Sequence, residues 1–195
     1  MARNRQPIIK RCRALGIDPV VLGVNKKSNR GPRPNANQKP TEYAVQLKEK
    51  QKAKFIYGVM EKQFYKLYKE ATRREGVTGE LLLQYLERRL DNVVFRLGFA
   101  KTRRQARQIV SHGHVLVNGR KVNIASYRVK VGDVVSLTEV SRNIEFVKEA
   151  IEAVRVPSWL DLDKANFAGK VLQNPTKDAL DFEINEALIV EFYSR

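Results

Sequence analysis

Apolar residues recur at helical spacing through the middle of the chain. Phe55, Ile56, Val59, Met60, Phe64, Leu67, Tyr68 and Ala71 stand mostly three and four apart, which predicts an amphipathic helix with one face on a core. The helical pattern starts at Thr41, passes through the highly charged residues 48–54 and ends at residues 73–76. A second run follows Thr78 and Gly79, with Leu82, Leu83, Leu86, Leu90, Val93, Val94 and Leu97, and Gly98 suits its C-terminal cap. Thr102 with Gln105 then forms a capping box that starts another helix at about Arg103. Ala106, Ile109 and Val110 lie on one side of it, and Arg103, Arg104, Arg107 and Gln108 on the other. After His112-Gly113-His114 the period shortens. Val115-Leu116-Val117, Asn118-Gly119 and Arg120-Lys121-Val122 predict a hairpin, because Asn-Gly takes the positive φ values of a type I′ turn easily. Residues 129–137 read as a strand pair around Gly132-Asp133, residues 145–154 as a helix, and residues 184–192 as strand-like. The first 43 residues lack such a pattern. Residues 23–40 hold Gly31, Pro32, Pro34, Pro40 and several cations, too little apolar surface to offset chain entropy, so an extension is expected there.

Charge narrows the function. The 195 residues are 43% hydrophobic, enough for one or two small cores. The net charge of +16 calls for a polyanionic partner, either nucleic acid or an acidic membrane surface. Its placement is uneven: +11 over residues 1–54, +2 over 55–90, +6 over 91–140 and −3 over 141–195. Two basic regions thus flank a nearly neutral one and precede an acidic tail. No amphipathic anchor helix and no long apolar run is evident, so no membrane partner is expected. Arg3, Arg5, Lys10 and Arg11 occur without the apolar stretch of a secretory signal. The single cysteine, Cys12, leaves no internal disulfide and no multi-cysteine metal site, and a cytosolic protein is expected.

RNA-binding candidates follow from the two basic regions. In the first they are Arg3, Arg5, Lys10, Arg11, Arg13, Lys26, Lys27, Arg30 and Arg33, read as an arm that orders on RNA rather than a bare flexible tail, then Lys48, Lys50 and Lys54. In the second they are Lys101, Thr102, Arg103, Arg104, Gln105, Arg107, His112, His114, Asn118, Arg120, Lys121 and Arg128. Arg103, Arg104 and Arg107 have no acid four residues away in their own helix and repel one another, which a polyanion opposite would explain better than a solvated face. Arg120, Lys121, Arg128 and Lys130 equally suit charges that protect exposed strand edges. His112 and His114 lack the further ligands zinc needs, so a cap or a phosphate contact is expected. Most aromatics fall on apolar faces and read as core. The acids Asp161, Asp163, Asp178, Asp181, Glu183 and Glu186 read as a surface facing protein or solvent. No paired carboxylates, glycine-rich phosphate loop or nucleophilic triad stands out, so neither an enzyme nor a cofactor is expected.

The stretch from residue 86 to 137 resembles the small RNA-binding module of ribosomal protein four of the small subunit, with its helix, helix and hairpin order. Pseudouridine synthases, a heat-shock recycling protein and tyrosyl-tRNA synthetases carry the same module, so the flanks decide. The basic amino end, the helical run before the module, Val156-Pro157-Ser158-Trp159-Leu160 and the closing Glu191-Phe192-Tyr193-Ser194-Arg195 resemble the bacterial-type ribosomal protein. The resemblance implies an α+β fold: a basic extension over residues 1–43, a mostly helical domain from 44–88 and 146–195, and the inserted module at 89–145. Trp159 is expected to pin the carboxy segment to the helical domain. Some family members bind zinc through an amino-terminal cysteine cluster. Only Cys12 is present here, so that site is expected to be missing and RNA to supply the stabilisation. The resemblance further implies a cytoplasmic, ribosome-bound protein that binds the 5′ domain of 16S rRNA early and nucleates assembly of the subunit body. Small-subunit protein five is an implied partner linked to translational accuracy, alongside other small-subunit proteins. Messenger RNA of its own operon is a third reading compatible with the first. An RNA-modifying enzyme is the alternative class, but a synthase would need a catalytic domain of well over a hundred residues, for which the helical regions leave no room. A recycling factor would be shorter and lack the long amino arm.

Overall fold

Local caps and apolar periodicity together set the helices. The structure, a computed structural model, describes residues 7–26 and 39–194. Its helices and strands in chain order are α1 (Ile8–Leu15), α2 (Glu42–Tyr57), α3 (Glu61–Thr72), α4 (Thr78–Glu87), α5 (Leu90–Arg96), α6 (Arg103–Ser111), β1 (Val115–Val117), β2 (Arg120–Lys121), β3 (Val134–Leu137), α7 (Glu139–Arg142), α8 (Glu145–Ala153), β4 (Leu160–Asp163), β5 (Ala168–Val171) and α9 (Glu186–Ser194). The α+β class is as expected. Thr41 caps α2 by accepting a hydrogen bond from the Ala44 N–H at 3.3 Å. Both long apolar runs are broken in two. Gly58, at φ 61°, ends α2, and the extended backbone of Arg89 separates α4 from α5. Apolar spacing alone does not register such breaks, because the two pieces still bury residues at helical intervals.

The chain divides into two compact units, and the boundary falls inside α4: Met1–Leu82 with Asp181–Arg195, and Leu83–Leu180. Among the described residues of the first, Cys12, Leu15, Ile17, Ala53, Ile56, Phe64, Ala71, Ile184 and Ile189 are buried. Helices α1 and α9 both pack on α2. The expected extension is therefore corrected over residues 7–26. Cys12 and Leu15 form an apolar stripe on α1 that its many cations conceal in the sequence, and the thiol is pushed up first by burial and then by the charge of Asp18. Apolar packing thus helps to hold this segment on the first unit. Residues 27–38 lie outside the described residues. The strand-like reading of residues 184–192 is also corrected. Asn185 accepts hydrogen bonds from the Ala187 and Leu188 N–H groups at 3.1 and 3.4 Å and starts α9, and full burial of Ile189 contributes roughly 1.5–3 kcal/mol.

The second unit is built on a five-stranded antiparallel sheet in the order β2-β1-β3-β5-β4. Leu90, Val93 and Val94 of α5 with Leu97 at its C-cap, Ala106, Ile109 and Val110 of α6, and Val147 and Ile151 of α8 share one core with Val115, Val117, Val135 and Leu137 of the sheet. The expected strand pair over residues 129–137 is corrected to a single strand, β3. Ahead of it Asp133 closes a tight turn, accepting from the Lys130 N–H at 2.7 Å. The β4–β5 hairpin went unread because its acids drew attention to the surface, although Leu160 and Val171 are buried. Trp159, 1% exposed, belongs to this same core and does not tie the carboxy segment to the helical unit. Residues 146–180, expected with the helical domain, group here instead because β5 pairs with β3. Only residues 181–194 return to the first unit.

Candidate nucleic-acid interface

The α6 helix starts as its sequence predicts. Thr102 Oγ1 accepts from the Gln105 N–H at 3.1 Å, while Gln105 Oε1 accepts from the Lys101 N–H at 2.9 Å. Thr102 and Gln105, proposed as RNA contacts, thus spend these atoms on the helix start. The arginines of α6 are then sorted by α5. Arg107 donates Nε and a terminal nitrogen to Asp91 Oδ2 at 2.8 and 2.6 Å, and Arg89 binds the same carboxylate at 3.1 and 2.9 Å. Arg103 is buried, donates to Asn92 Oδ1 at 2.8 Å and lies 4.3 Å from the Phe95 ring centroid. Asn92 in turn donates to Glu87 at 2.8 Å, and Glu87 takes a two-pronged bond from Arg96 at 3.1 and 3.0 Å. Glu87, Arg89, Asp91, Asn92 and Arg96 are all buried.

This network corrects the picture of three repelling arginines. The Asp91 carboxylate that pairs with Arg107 and the Asn92 amide that holds Arg103 lie on the preceding helix, which a search for acids within α6 could not reveal. Arg104 alone of the three is exposed, and among the described residues it has no ion-pair partner. Sequence reasoning missed the network, and the signal was there. Six charged or amide residues interrupt the stretch between Leu86 and Leu97, five of them buried, where burial demands that they pair.

The hairpin forms as predicted. Asn118 and Gly119 have φ 50° and 75°, the positive pair of a type I′ turn. The Asn118 amide also clasps the next strand, accepting from the Val134 N–H at 2.8 Å and donating to Asp133 at 2.9 Å. Gly113 follows α6 at φ 75°, and the Lys121 Cε lies 2.3 Å from where a Cβ at Gly113 would stand. The positive φ favours glycine here, and Lys121 lies beside the end of α6. Arg120 and Lys121 are both exposed. His112 is exposed, whereas His114 Nδ1 hydrogen-bonds Ser141 Oγ at 2.9 Å. Lys101 pairs with Glu149, and Arg128 lies 4.1 Å over the Tyr85 ring.

In the first unit, Lys10, Lys26 and Lys48 are exposed, while Arg11 and Arg13 are half-buried. Arg11 reaches Gln51 at 3.5 Å. Lys50 is buried, pairs with Glu61 at 3.0 Å and lies 4.1 Å from the Phe192 ring centroid. Lys54 also pairs with Glu61. Tyr193 donates to the same carboxylate at 2.7 Å. Burial would raise the Glu61 carboxyl, but the bonds from Lys54, Tyr193 and Lys50 outweigh it and bring it down to about 2. Lys50 and Lys54 therefore serve the fold of this unit. Arg3, Arg5, Lys27, Arg30 and Arg33 lie outside the described residues.

Two family profiles cover the chain. Residues 3–87 match the ribosomal protein S4/S9 N-terminal domain, and residues 88–135 match the S4 domain. Over its full length the chain is 74% identical to small ribosomal subunit protein uS4 of Fusobacterium nucleatum, 100% of which is covered. The chain belongs to the uS4 family. The uS4 proteins of Lachnospira eligens and Symbiobacterium thermophilum named uS4 and uS4A are 55% and 50% identical, again with 100% of each chain covered. As a member of a ribosomal protein family, this uS4 chain is a structural component and not an enzyme.

Proposed function

We propose that this uS4 chain, an RNA-binding protein of the small ribosomal subunit, is a primary binder of the 5′ domain of 16S rRNA in the cytoplasmic ribosome. In this reading it nucleates assembly of the subunit body and, with small-subunit protein five, contributes to translational accuracy. Other small-subunit proteins are further partners. The observation that carries the reading is the division of labour among cations in the second unit. Arg89, Arg103 and Arg107 are locked to Asp91 and Asn92, and this rigid base presents the exposed Arg104 and the hairpin cations Arg120 and Lys121. Fixed guanidinium and ammonium groups on a preorganised surface position a phosphate backbone at little cost in side-chain ordering. Counterion release then offsets the cost of drawing several RNA helices together.

The test is a salt titration of binding to the isolated 5′ domain and to an unrelated structured RNA of equal length. Preference for the 5′ domain that survives raised salt is expected. Equal binding that collapses together for both RNAs would leave only a generic basic protein. Replacing Arg104, Arg120 and Lys121 by Ala is expected to lower the magnitude of the salt slope by roughly 0.7–0.9 per lost phosphate contact. A triple Arg103/Arg104/Arg107→Ala variant is a poor probe, because it also strips the buried Asp91 and Asn92 of partners.

A further inference from the structure

Asn118-Gly119 is the one Asn-Gly pair in the sequence, and the hairpin turn leaves both residues exposed. Asparagine followed by glycine has a chemistry of its own. The Gly119 backbone nitrogen, once it loses its proton, can attack the carbonyl carbon of the Asn118 side chain and close a five-membered imide. The carbon–nitrogen bond of the side-chain amide breaks, and ammonia leaves. Water then opens the ring at either carbonyl, giving aspartate or, with the backbone rerouted through the side chain, isoaspartate. One water is consumed and one ammonia released, with no change of oxidation state. A glycine nitrogen reaches the carbon most readily, because no Cβ stands in its way. Nothing lies within 4 Å of where a Cβ at Gly119 would be, so neighbouring groups do not shield the turn from water.

The fold holds the reacting amide still. Asn118 Oδ1 accepts from the Val134 N–H at 2.8 Å, and Nδ2, the leaving nitrogen, donates to Asp133 Oδ1 at 2.9 Å. The Asn118 N–H donates to the Val134 carbonyl at 2.8 Å, so the side-chain oxygen completes a rung beyond the Val117–Val135 pair. Asp133 is itself fixed, accepting from the Lys130 N–H at 2.7 Å. Ring closure requires the side chain to swing back over its own backbone, which it cannot do until both amide bonds break. The product does not restore this clasp. Aspartate at position 118 has no hydrogen to give Asp133, and two carboxylates then face each other and repel. Isoaspartate adds a methylene to the backbone and displaces the oxygen from Val134. We propose that Asn118 is a deamidation site gated by the clasp: its amide survives while Val134 and Asp133 hold it, reacts in chains whose hairpin has opened, and leaves the hairpin unlatched. Copies that linger with the hairpin open are thereby marked permanently with an added negative charge. The proposal uses no contact with RNA and stands apart from the reading above.

The experiment incubates the full chain, folded and in guanidinium chloride, side by side at mildly alkaline pH. Mass spectrometry of the peptide holding Asn118 reads the gain of one mass unit, and an isoaspartate-specific methyltransferase reads the rerouted product. Two hydrogen bonds that must open first predict a reaction at least about tenfold slower in the folded chain. Asp133→Ala removes one of them and is expected to speed the folded chain roughly fivefold without changing the rate in denaturant. Asp133→Asn keeps an oxygen for the Lys130 N–H and loses only the charge on the bond, so a smaller acceleration is expected. A thermal melt followed by circular dichroism verifies that each variant is folded, and Asp133→Asn carries the test if the alanine variant is not. In Asn118→Asp, amide exchange at Val134 is expected to quicken while α5 and α6 keep wild-type protection. Equal rates for the folded and denatured chain overturn the proposal. So do folded Asp133 variants that react no faster than wild type, or an Asn118→Asp chain whose Val134 amide is as protected as before.

Discussion

A single carboxylate shows how much one residue organises here. Asp91 is 3% exposed and holds two guanidinium groups, from Arg89 and Arg107, at distances of 2.6 to 3.1 Å. Its own N–H donates to Ala125 at 3.2 Å, so the same residue fixes the loop before Arg128. Replacing a buried ion pair with apolar groups of equal shape can be neutral, but removing one partner leaves charge stranded out of water. Asp91→Ala strands Arg89, whose side chain is 7% exposed. The expected cost is about 3–5 kcal/mol, read as a lower urea midpoint at constant denaturant slope. A midpoint within experimental error of wild type would show that the network contributes nothing to stability. Residue-level roles of this kind were the least legible part of the sequence. Arg103 and Arg107 carry the same charge as Arg104, and only the position of α5 separates the locked from the exposed.

At the scale of elements, whatever depends on neighbours in sequence was readable. The Thr102–Gln105 box and the Asn118–Gly119 turn each act within a few residues, and both form as expected. What depends on distant partners was hidden. Ile189, Val190, Phe192 and Tyr193 favour a strand by composition, yet tertiary packing on α2 makes the segment α9. That helix is secured where Glu61 of α3 meets Lys50 and Lys54 of α2 and Tyr193 of α9. The lock has a pH signature. Glu61 sits at about 2 in the folded protein, below the roughly 4.3 of an unperturbed glutamate. A depressed carboxyl contributes its full stabilisation above the unfolded value and loses it as pH falls from about 4.3 to about 2. The magnitude is modest, because the Glu61 side chain is 46% exposed and water screens the pairs. Glu61→Gln is expected to flatten the fall in thermal midpoint across that window. An acid limb as steep as wild type would place the linkage on other carboxylates.

At the scale of the molecule, the helical domain with an inserted unit that the sequence implied is present, but the insertion runs from Leu83 to Leu180 rather than over residues 89–145. The chain leaves the first unit within α4, builds the second through Leu180, and returns for the last helix. The sheet explains why the return comes so late, since β4 and β5 extend it beyond the hairpin and hold residues 160–171 there. Because each unit buries its own residues, a cavity in one should leave the packing of the other intact. Ile189, fully buried on α9, is the clean position to test this. Truncation of a buried isoleucine to alanine costs about 2–5 kcal/mol, set by how far the site can collapse. In Ile189→Ala, amide exchange is expected to accelerate in α2, α3 and α9, while α5, α6 and β1 through β5 keep wild-type protection. If Arg104, Arg120 and Lys121 bind RNA as proposed, that binding would persist in this variant. Uniform acceleration through both units would instead mean that the chain opens as one cooperative body, and that α4, shared between them, transmits the damage.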